Sequence, residues 1–286
     1  MPVGADLGFK VGLVSRLDEP RALEVAGELA RHLRKRGVSV LAEVELAKRG
    51  RLGGGTYLNE LKADLIVTVG GDGTVLKTAM TIPEQETPIL AVNMGRRGYL
   101  TEVEPSAAIA AIDAFRKGNY RLEKRAKLGV DMNGTHVVDA LNELVVSSGS
   151  PAKMLDLRIG VDSQRLLAFR GDGVIVSTAT GSTAYAMSAG GPIVDSSVDA
   201  FVVTFICPLD SVRPTVVSMD RTLSIETATP KLKVLVVADG RFQRELVQNV
   251  KLRIRKSKHY TAFVRSTKRT PLGSLAKLHE LERASS

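Results

Sequence analysis

The sequence is poor in the residues that build metal sites, disulfides and base-stacking surfaces. It contains one cysteine, no tryptophan and four widely separated histidines, and aromatic residues make up 4% of the chain. One cysteine excludes a disulfide within the chain and a cysteine-based zinc site, and the scattered histidines disfavour a structural metal. The few aromatics, with no helix-turn-helix or RNA-stacking motif, disfavour a nucleic-acid partner.

Long apolar runs are also lacking. The longest run, residues 200–209, has about half the length that a membrane-spanning helix needs. Residues 1–10 carry no basic region followed by an apolar core, which is the pattern of a signal peptide. We therefore expect a cytoplasmic protein without a membrane partner.

Basic residues are in excess. Lys and Arg number 40, Asp and Glu number 31, and the net charge is +9. Such an excess suits nucleic acid, an anionic membrane or a small polyanionic substrate, or it reflects only a solvated surface. With 286 residues and 44% hydrophobic composition, the chain can bury a large core, in one large domain or in two.

The first third of the chain alternates between strand and helix patterns. Four short apolar runs with strand character lie at 10–15, 38–44, 64–69 and 88–92. Residues 20–36 and 74–81 are predicted helices, and residues 49–56, with three consecutive glycines, are a predicted loop. Apolar strands that alternate with helices predict an α/β N-terminal domain whose parallel sheet is covered on both faces.

After a predicted helix at 105–117, short strand patterns dominate. They lie at 128–132, 136–147, 155–161, 166–170, 174–177, 201–207, 215–218, 222–226, 232–238, 241–246 and 250–255. One helical stretch, at 183–189, interrupts them. This pattern predicts a mainly antiparallel β C-terminal domain. We place the α/β nucleotide-binding domain at 1–105 and the β-rich domain at 106–255, and expect the basic tail from about 256 to pack on the first domain.

The turn Gly70-Gly71-Asp72-Gly73-Thr74 lies directly after a buried strand and before a helix. In open α/β sheets, ligands bind at the carboxyl ends of strands, and glycines beside the free amides of a helix start form an anion site. Asp72 does not itself attract phosphate, but it can take a proton from a hydroxyl. The turn therefore indicates phosphoryl transfer, with a plain capped turn as the alternative.

Two further segments lie in the β-rich part. Asn142-Glu143 interrupts an apolar strand pattern, which costs stability unless the pair is satisfied or useful. The two side chains can hold the vicinal diol of a ribose, and a strand end is the alternative. Residues 169–185 run into a turn rich in threonine, glycine and serine, which leaves room for a planar ligand. There Tyr185 can stack on a base and Arg170 can bind phosphate; a capped helix after a hairpin is the alternative.

These segments, in this order, resemble the NAD kinase family. The family's hallmarks are a Gly-Gly-Asp-Gly-Thr turn, an Asn-Glu pair and a Thr-Pro-Thr-Gly-Ser-Thr-Ala-Tyr segment preceded by Gly-Asp-Gly, and their counterparts all occur here. Residues 93–102 resemble the family's glycine-rich loop, and Ala238-Asp239-Gly240 resembles its late hairpin. Three departures are visible: Ala179 replaces the usual proline, residues 208–214 lack a histidine, and Arg241 replaces a common glutamine.

The resemblance implies an enzyme that transfers a phosphoryl group from ATP, or polyphosphate, to the 2′-hydroxyl of the adenosine ribose of NAD, giving NADP. It implies that Mg²⁺, or another divalent cation, arrives with the nucleotide instead of occupying a protein metal site. It also implies a homodimer or homotetramer, with NAD bound by the β-rich domain.

The resemblance also implies roles for individual residues. Asp72 accepts the proton of the 2′-hydroxyl, and Lys77 lies near the phosphates. Asn142 and Glu143 hold the ribose, and Tyr185 lies near the adenine. The full set of implied NAD or nucleotide contacts is Gly71, Gly73, Thr74, Lys77, Asn142, Glu143, Lys153, Arg170, Asp172, Thr180, Thr183, Ala184, Tyr185, Ser188 and Gln243.

Two other functions share part of the pattern. Lipid kinases of the diacylglycerol and sphingosine type have the same Gly-Gly-Asp-Gly-Thr turn, and the Asn-Glu pair argues against them. A non-catalytic NAD(H)-binding regulatory protein is the second alternative, and the retained Asp72 argues against it.

Overall fold

The computed structural model describes residues 8–95, 98–228, 232–247 and 250–265. Contacts between residues divide them into two units. Unit 1 contains the described residues up to 124 and from 261 to 265, and unit 2 contains those from 125 to 260. The two changes from one unit to the other fall within strands, so they do not coincide with loops. The functional division predicted at residue 105 stays a prediction.

Unit 1 is built on parallel strands in the order β2-β1-β3-β4. Its elements are β1 (Lys10–Ser15), α1 (Pro20–Lys35), β2 (Ser39–Ala42), α2 (Val44–Gly50), β3 (Leu65–Gly70), α3 (Asp72–Thr81), β4 (Ile89–Asn93) and α4 (Ala108–Arg116), with single 3₁₀ turns at Leu58–Glu60 and Pro105–Ala107. All six residues of β3 are buried. A strand buried on both faces needs a continuous apolar run, so the predicted α/β class is confirmed.

Residues 44–50 form a helix where the sequence analysis predicted the end of a strand and the start of a loop. The side chain of Glu43 caps this helix, because its Oε2 accepts a hydrogen bond of 3.2 Å from the backbone amide of Leu46. Leu46 and Ala47 are buried against the core. The preceding strand is correspondingly short and ends at Ala42.

Unit 2 contains almost only strands. Its elements are β5 (Arg121–Met132, which begins in unit 1), β6 (Thr135–Ala140), β7 (Glu143–Ser148), β8 (Leu155–Val161), β9 (Gln164–Gly171), β10 (Gly173–Thr178), a 3₁₀ turn (Thr180–Thr183), α5 (Tyr185–Ser188), β11 (Ala200–Ile206), β12 (Thr215–Ser218), β13 (Leu223–Thr227), β14 (Val234–Ala238), β15 (Phe242–Leu246) and β16 (Lys251–Arg265, which ends in unit 1).

One sheet of unit 2 has the order β12-β11-β10-β7-β14-β15, and each strand runs antiparallel to its neighbours. A second antiparallel set has the order β16-β13-β8-β9. Side chains from both sets, among them Leu144, Val174, Leu157 and Ile225, form one buried cluster. Fully burying each such side chain stabilises the unit by about 1.5–3 kcal/mol before entropy is counted. The predicted mainly antiparallel class is confirmed.

Two predicted elements of unit 2 are wrong in detail. The strand predicted at 136–147 is two strands, and the chain turns at Leu141 and Asn142 between them. The helical stretch predicted at 183–189 is a 3₁₀ turn followed by the four-residue α5.

The strand predicted at 250–255 continues to Arg265 as β16. In unit 1, its Phe263 lies parallel to Ile89 of β4. The rest of the predicted basic tail lies outside the described residues. Among the described residues, no helix has the length and apolar character that crossing a membrane requires.

Candidate functional site

The glycine-rich turn of unit 1 lies where β3 ends and α3 begins. Gly71 is the N-cap of the helix, and Asp72 is its first residue. A Cβ atom added at Gly71 or at Gly73 would meet no atom within 4 Å. The backbone is therefore open on this side, and a helix start with open backbone suits the approach of an anion.

The carboxylate of Asp72 is bound by three consecutive backbone amides. Oδ2 accepts a hydrogen bond from Tyr99 at 2.9 Å, and Oδ1 accepts from Leu100 at 3.1 Å and from Thr101 at 3.3 Å. A carboxylate offers about four acceptor positions. Among the described residues, three of these positions on Asp72 are used, and the fourth, on Oδ2, can receive a ligand hydroxyl.

The loop that supplies these amides is itself fixed. A Cβ atom at Gly98 would overlap the side chain of Thr101, so glycine is required for this path of the chain. The guanidinium of Arg265 is buried, donates to the carbonyl oxygen of Leu100 at 3.1 Å and forms an ion pair of 3.3 Å with Glu102. Arg265 was not among the predicted site residues, although a basic residue that ends the apolar run 262–264 was a usable signal.

Lys77 lies on α3, one turn beyond Asp72. Its Nζ is 3.4 Å from Oε1 of Glu43, which is buried. The structure therefore places this lysine beside a carboxylate of unit 1, and its contact with phosphate stays a prediction. Glu43 was not among the predicted site residues, because the helix that it caps was not predicted.

In unit 2, the Asn142-Glu143 pair occupies the turn before β7, and both residues are buried. The carboxylate of Asp239 holds this turn. Its Oδ2 accepts from the amide of Leu141 at 2.7 Å, and its Oδ1 accepts from Asn142 at 2.8 Å and Glu143 at 2.9 Å. Asp239 belongs to the hairpin that resembles one in the family, but no role was predicted for its side chain.

Glu143 has an unusual electrostatic environment. Burial, and to a smaller extent the charge of Asp239, raise the pKa of Glu143 to about 7, while the backbone amide of Tyr185 lowers it. Among the described residues, its buried Oε2 has no hydrogen-bond partner. A buried carboxyl oxygen without a partner is costly, and a hydroxyl group of a ligand would remove that cost.

The threonine- and glycine-rich segment packs directly on the same turn. The backbone amide of Thr178 donates to the carbonyl oxygen of Asn142 at 2.8 Å, and its hydroxyl donates to the carbonyl oxygen of Leu141 at 2.7 Å. A Cβ atom at Gly181 would overlap the backbone of Asn142. Three segments that are far apart in sequence, including the hairpin of Asp239, therefore meet at Asn142.

Several predicted contacts follow directly after this meeting point. Thr180 is half-buried and its hydroxyl lies 3.4 Å from Nη1 of Arg125. Thr183 and Ala184 are half-buried, and Ser188 is exposed. The ring of Tyr185 is 46% exposed, which leaves it accessible for stacking. Ala179, which replaces the family's proline, is buried and leaves the hydrogen bonds of the neighbouring residues in place.

Lys153, Arg170 and Asp172 lie elsewhere in unit 2. Ser177 of β10 is opposite Glu143, whereas Gly173 is opposite Ser147. At about 3.4 Å per residue, Asp172 is roughly 17 Å along the strand from the level of Glu143. Lys153 and Arg170 are exposed. Within one copy of unit 2, Asp172 therefore does not reach the Asn142-Glu143 turn, and the contacts of Lys153 and Arg170 with NAD stay predictions.

Two remaining features lie on other segments of unit 2. Gln243 is exposed on β15, opposite Val237 of β14. In the segment that lacks the family's histidine, a side-chain oxygen of Asp210 accepts from the backbone amide of Arg170 at 3.1 Å. The segment that lacks the histidine therefore contacts Arg170, near the end of β9.

The described residues contain no group of three or more His, Cys, Asp and Glu side chains that could hold a metal ion. A groove of about 610 Å³ lies on unit 2, lined by Arg158, Gly160, Arg165, Ser224 and Arg253 among others. It contains none of the predicted site residues, so the site is defined by the hydrogen-bonded turns described above.

Known proteins resemble the chain along nearly its whole length. Models for the ATP-NAD kinase N-terminal domain and the ATP-NAD kinase C-terminal domain match residues 11–120 and 141–266. The NAD kinase of Methanothermobacter thermautotrophicus is 40% identical over 263 residues, 91% of this chain and 93% of the relative. The chain belongs to the NAD kinase family.

Solved structures of the family agree with the described fold. The structure of an NAD kinase from Archaeoglobus fulgidus in complex with ATP has a TM-score of 0.74 and 30% identity, covering 94% of this chain and 99% of that one. Yeast NADH kinase complexed with NADH has a TM-score of 0.86 at 22% identity, covering 95% and 87%; at that identity the likeness concerns the fold.

Membership in the NAD kinase family confirms the predicted enzyme class, a phosphotransferase. The lipid-kinase and non-catalytic alternatives are not favoured, because both matching domain models are those of ATP-NAD kinases and the relative that covers 91% of the chain is an NAD kinase.

Proposed function

We propose that the chain transfers the γ-phosphoryl group of ATP to the 2′-hydroxyl of the adenosine ribose of NAD, giving NADP and ADP. The observation that carries this proposal is the carboxylate of Asp72, which three amides hold in place and which keeps one acceptor position on Oδ2. Membership in the family supports NAD and ATP as substrates.

In the proposed step, Oδ2 of Asp72 accepts the proton of the 2′-hydroxyl. The 2′-oxygen then forms a bond to the γ-phosphorus, and the bond from that phosphorus to the β–γ bridging oxygen breaks, with ADP as the leaving group. Phosphoryl transfer passes through a loose transition state, so positioning and charge stabilisation provide most of the catalysis. An Asp that is already fixed by hydrogen bonds fits this requirement.

The phosphates would bind at the open backbone of Gly71, Gly73 and Thr74. Lys77 would contribute positive charge, which requires that its ammonium group shift from Glu43 toward the phosphates. Since the described residues hold no metal-binding cluster, we take Mg²⁺ as arriving with the triphosphate, where it would neutralise phosphate charge.

The ribose would bind at the Asn142-Glu143 turn, where the partnerless Oε2 of Glu143 can accept a hydroxyl hydrogen. Thr180, Thr183 and Ala184 would line the adjoining surface, and the exposed ring of Tyr185 would stack on the adenine.

We also propose a homo-oligomer. Asp172, just before β10, lies roughly 17 Å along the strand direction from the level of Glu143, and Arg170 lies two residues before it, near the end of β9. A second copy is therefore the simplest source of these two residues if they contact the same NAD. We propose Lys153 and Gln243 as further NAD contacts.

The proposal is tested by an activity matrix on the purified protein. NAD and NADH are each combined with ATP, another triphosphate and polyphosphate, in the presence of Mg²⁺, and a diacylglycerol vesicle serves as the lipid acceptor. We expect phosphorylated nicotinamide dinucleotide with ATP and no labelled lipid. Lipid phosphorylation without NADP or NADPH formation would overturn the proposal.

A further inference from the structure

Asp239 is placed unusually for a residue of a hairpin turn. The turn that joins β14 to β15 has Asp239 in the left-handed region at φ 47°, and the amide of Arg241 closes it by donating to the carbonyl oxygen of Ala238 at 2.9 Å. Aspartates in such turns usually face water. Here the side chain is 6% exposed, so the carboxyl group points into the protein.

The side chain and the backbone of Asp239 bind the same segment. The carboxylate accepts the three consecutive amides of residues 141–143, and the backbone amide of Asp239 donates to the carbonyl oxygen of Glu143 at 3.0 Å. Four hydrogen bonds therefore join one residue to the turn that carries Asn142 and Glu143. Charge-assisted hydrogen bonds of this type are stronger than neutral ones.

The charged groups that act on this site are few. Glu143 and Asp239 act on each other, and the fully buried Lys127 acts on Asp239. Burial raises the pKa of Asp239, while the amides of residues 141–143 and Lys127 lower it. Both oxygens of this buried carboxyl group accept hydrogen bonds from three backbone amides, which would otherwise lack an acceptor. Asp239 therefore fixes the conformation of the turn.

We propose that Asp239 is a positioning residue for NAD: it fixes the Asn142-Glu143 turn in its binding conformation before the ribose arrives. This inference rests on the proposed function, because it assumes that Glu143 binds the ribose. Asp239 does not touch the reacting atoms. It acts through the backbone of residues 141–143, so the main chain of the turn needs no rearrangement when NAD binds, and binding to a preorganised segment loses less free energy to ordering.

The first test is Asp239→Asn, which keeps the size of the side chain but removes its charge and one acceptor oxygen. We expect the KM for NAD to rise between about tenfold and a hundredfold, as misplaced binding groups do, with the KM for ATP unchanged. The pH dependence of kcat/KM for NAD, which follows the ionisation of Glu143 near its pKa of about 7, should move to lower pH because a neighbouring negative charge is gone.

Asp162→Asn is the matched control. Asp162 also has a left-handed backbone, at φ 54°, in a hairpin of unit 2, and its side chain accepts an amide hydrogen from Thr222 at 3.0 Å. Unlike Asp239, it is exposed and distant from Glu143 in the strand order. We expect the Asp162→Asn variant to have the KM values and the pH profile of the parent protein. An Asp239→Asn variant that is folded and has the NAD KM and pH profile of the parent would overturn the inference.

The second test needs no variant. Amide hydrogen exchange at residues 141–143 is measured in the parent protein with and without NAD. A turn held by Asp239 should exchange slowly without ligand and gain little protection when NAD is added. Fast exchange that NAD slows more than about tenfold would mean that the ligand orders the turn, which contradicts the inference. This readout is separate from activity: a parent protein without kinase activity contradicts the proposed function, whereas fast exchange at these amides in an active parent contradicts only the inference about Asp239.

Discussion

At the scale of single residues, two carboxylates are each bound by three consecutive backbone amides, with different consequences. The amides of residues 99–101 hold Asp72 itself, and the side chain of Asp72 keeps one acceptor position for a substrate hydroxyl. Both carboxylate oxygens of Asp239 accept hydrogen bonds from the amides of residues 141–143. Asp239 therefore positions the turn that carries Glu143. In the proposed mechanism, the same interaction serves an acid–base group in unit 1 and a binding group in unit 2.

Glu143 should make stability depend on pH. Its pKa is raised from 4.5 to about 7, so its contribution to stability is fully present below the unfolded value and is lost as pH rises through 7. We expect the free energy of unfolding to fall by up to about 3 kcal/mol across this range. Urea unfolding at pH 5 and pH 8 measures this.

Glu143→Gln is the comparison for that measurement, because it cannot ionise. The variant should gain stability relative to the parent as pH rises from 5 to 8. Equal pH dependence of the two proteins would show that Glu143 does not carry the effect.

At the scale of secondary-structure elements, local patterns were sufficient where a strand or helix is determined by its own residues. The buried strand β3 and the helix that begins at Asp72 follow from the sequence. Two elements did not. The helix at Val44–Gly50 depends on a side-chain cap from Glu43, and the break between β6 and β7 depends on Asp239, 96 to 98 residues away. Neither contact can be predicted from hydrophobic periodicity.

The end of β16 should influence catalysis through the loop that holds Asp72. Arg265 binds the carbonyl oxygen of Leu100 and pairs with Glu102 and Glu123. Arg265→Lys keeps the charge but loses the planar fork that makes several directed hydrogen bonds. We expect kcat to fall about tenfold or more through displacement of the loop, with little change in the KM for NAD.

Steady-state kinetics of Arg265→Lys and of Arg253→Lys measure this effect. Arg253 lies on the same strand but is exposed, so its variant should have the kcat of the parent. Equal kcat values for the two variants would mean that Arg265 only contributes to stability.

At the scale of the whole molecule, residues distant in sequence converge within unit 2. The Asn-Glu pair, the segment after Thr178 and the hairpin of Asp239 were separate patterns in the sequence, and the structure joins all three through hydrogen bonds at residues 141–143. The sequence could not have indicated that Arg170 and Asp172 lie at the other end of the strands, because strand register is set by pairing between distant segments. The net charge of +9 agrees with two polyanionic substrates but does not locate them.

The central claim is that Asp72 accepts the proton of the NAD hydroxyl, and Asp72→Asn tests it most directly. Asp64→Asn is the matched control, because Asp64 also belongs to unit 1 and accepts a backbone amide hydrogen, from Lys10 at 2.7 Å. Turnover with ATP and NAD, and NAD binding by calorimetry, are measured for both. We predict that Asp72→Asn loses a factor of about 10² to 10⁴ in kcat and still binds NAD, while Asp64→Asn retains both. Near-normal turnover in Asp72→Asn would contradict the assignment.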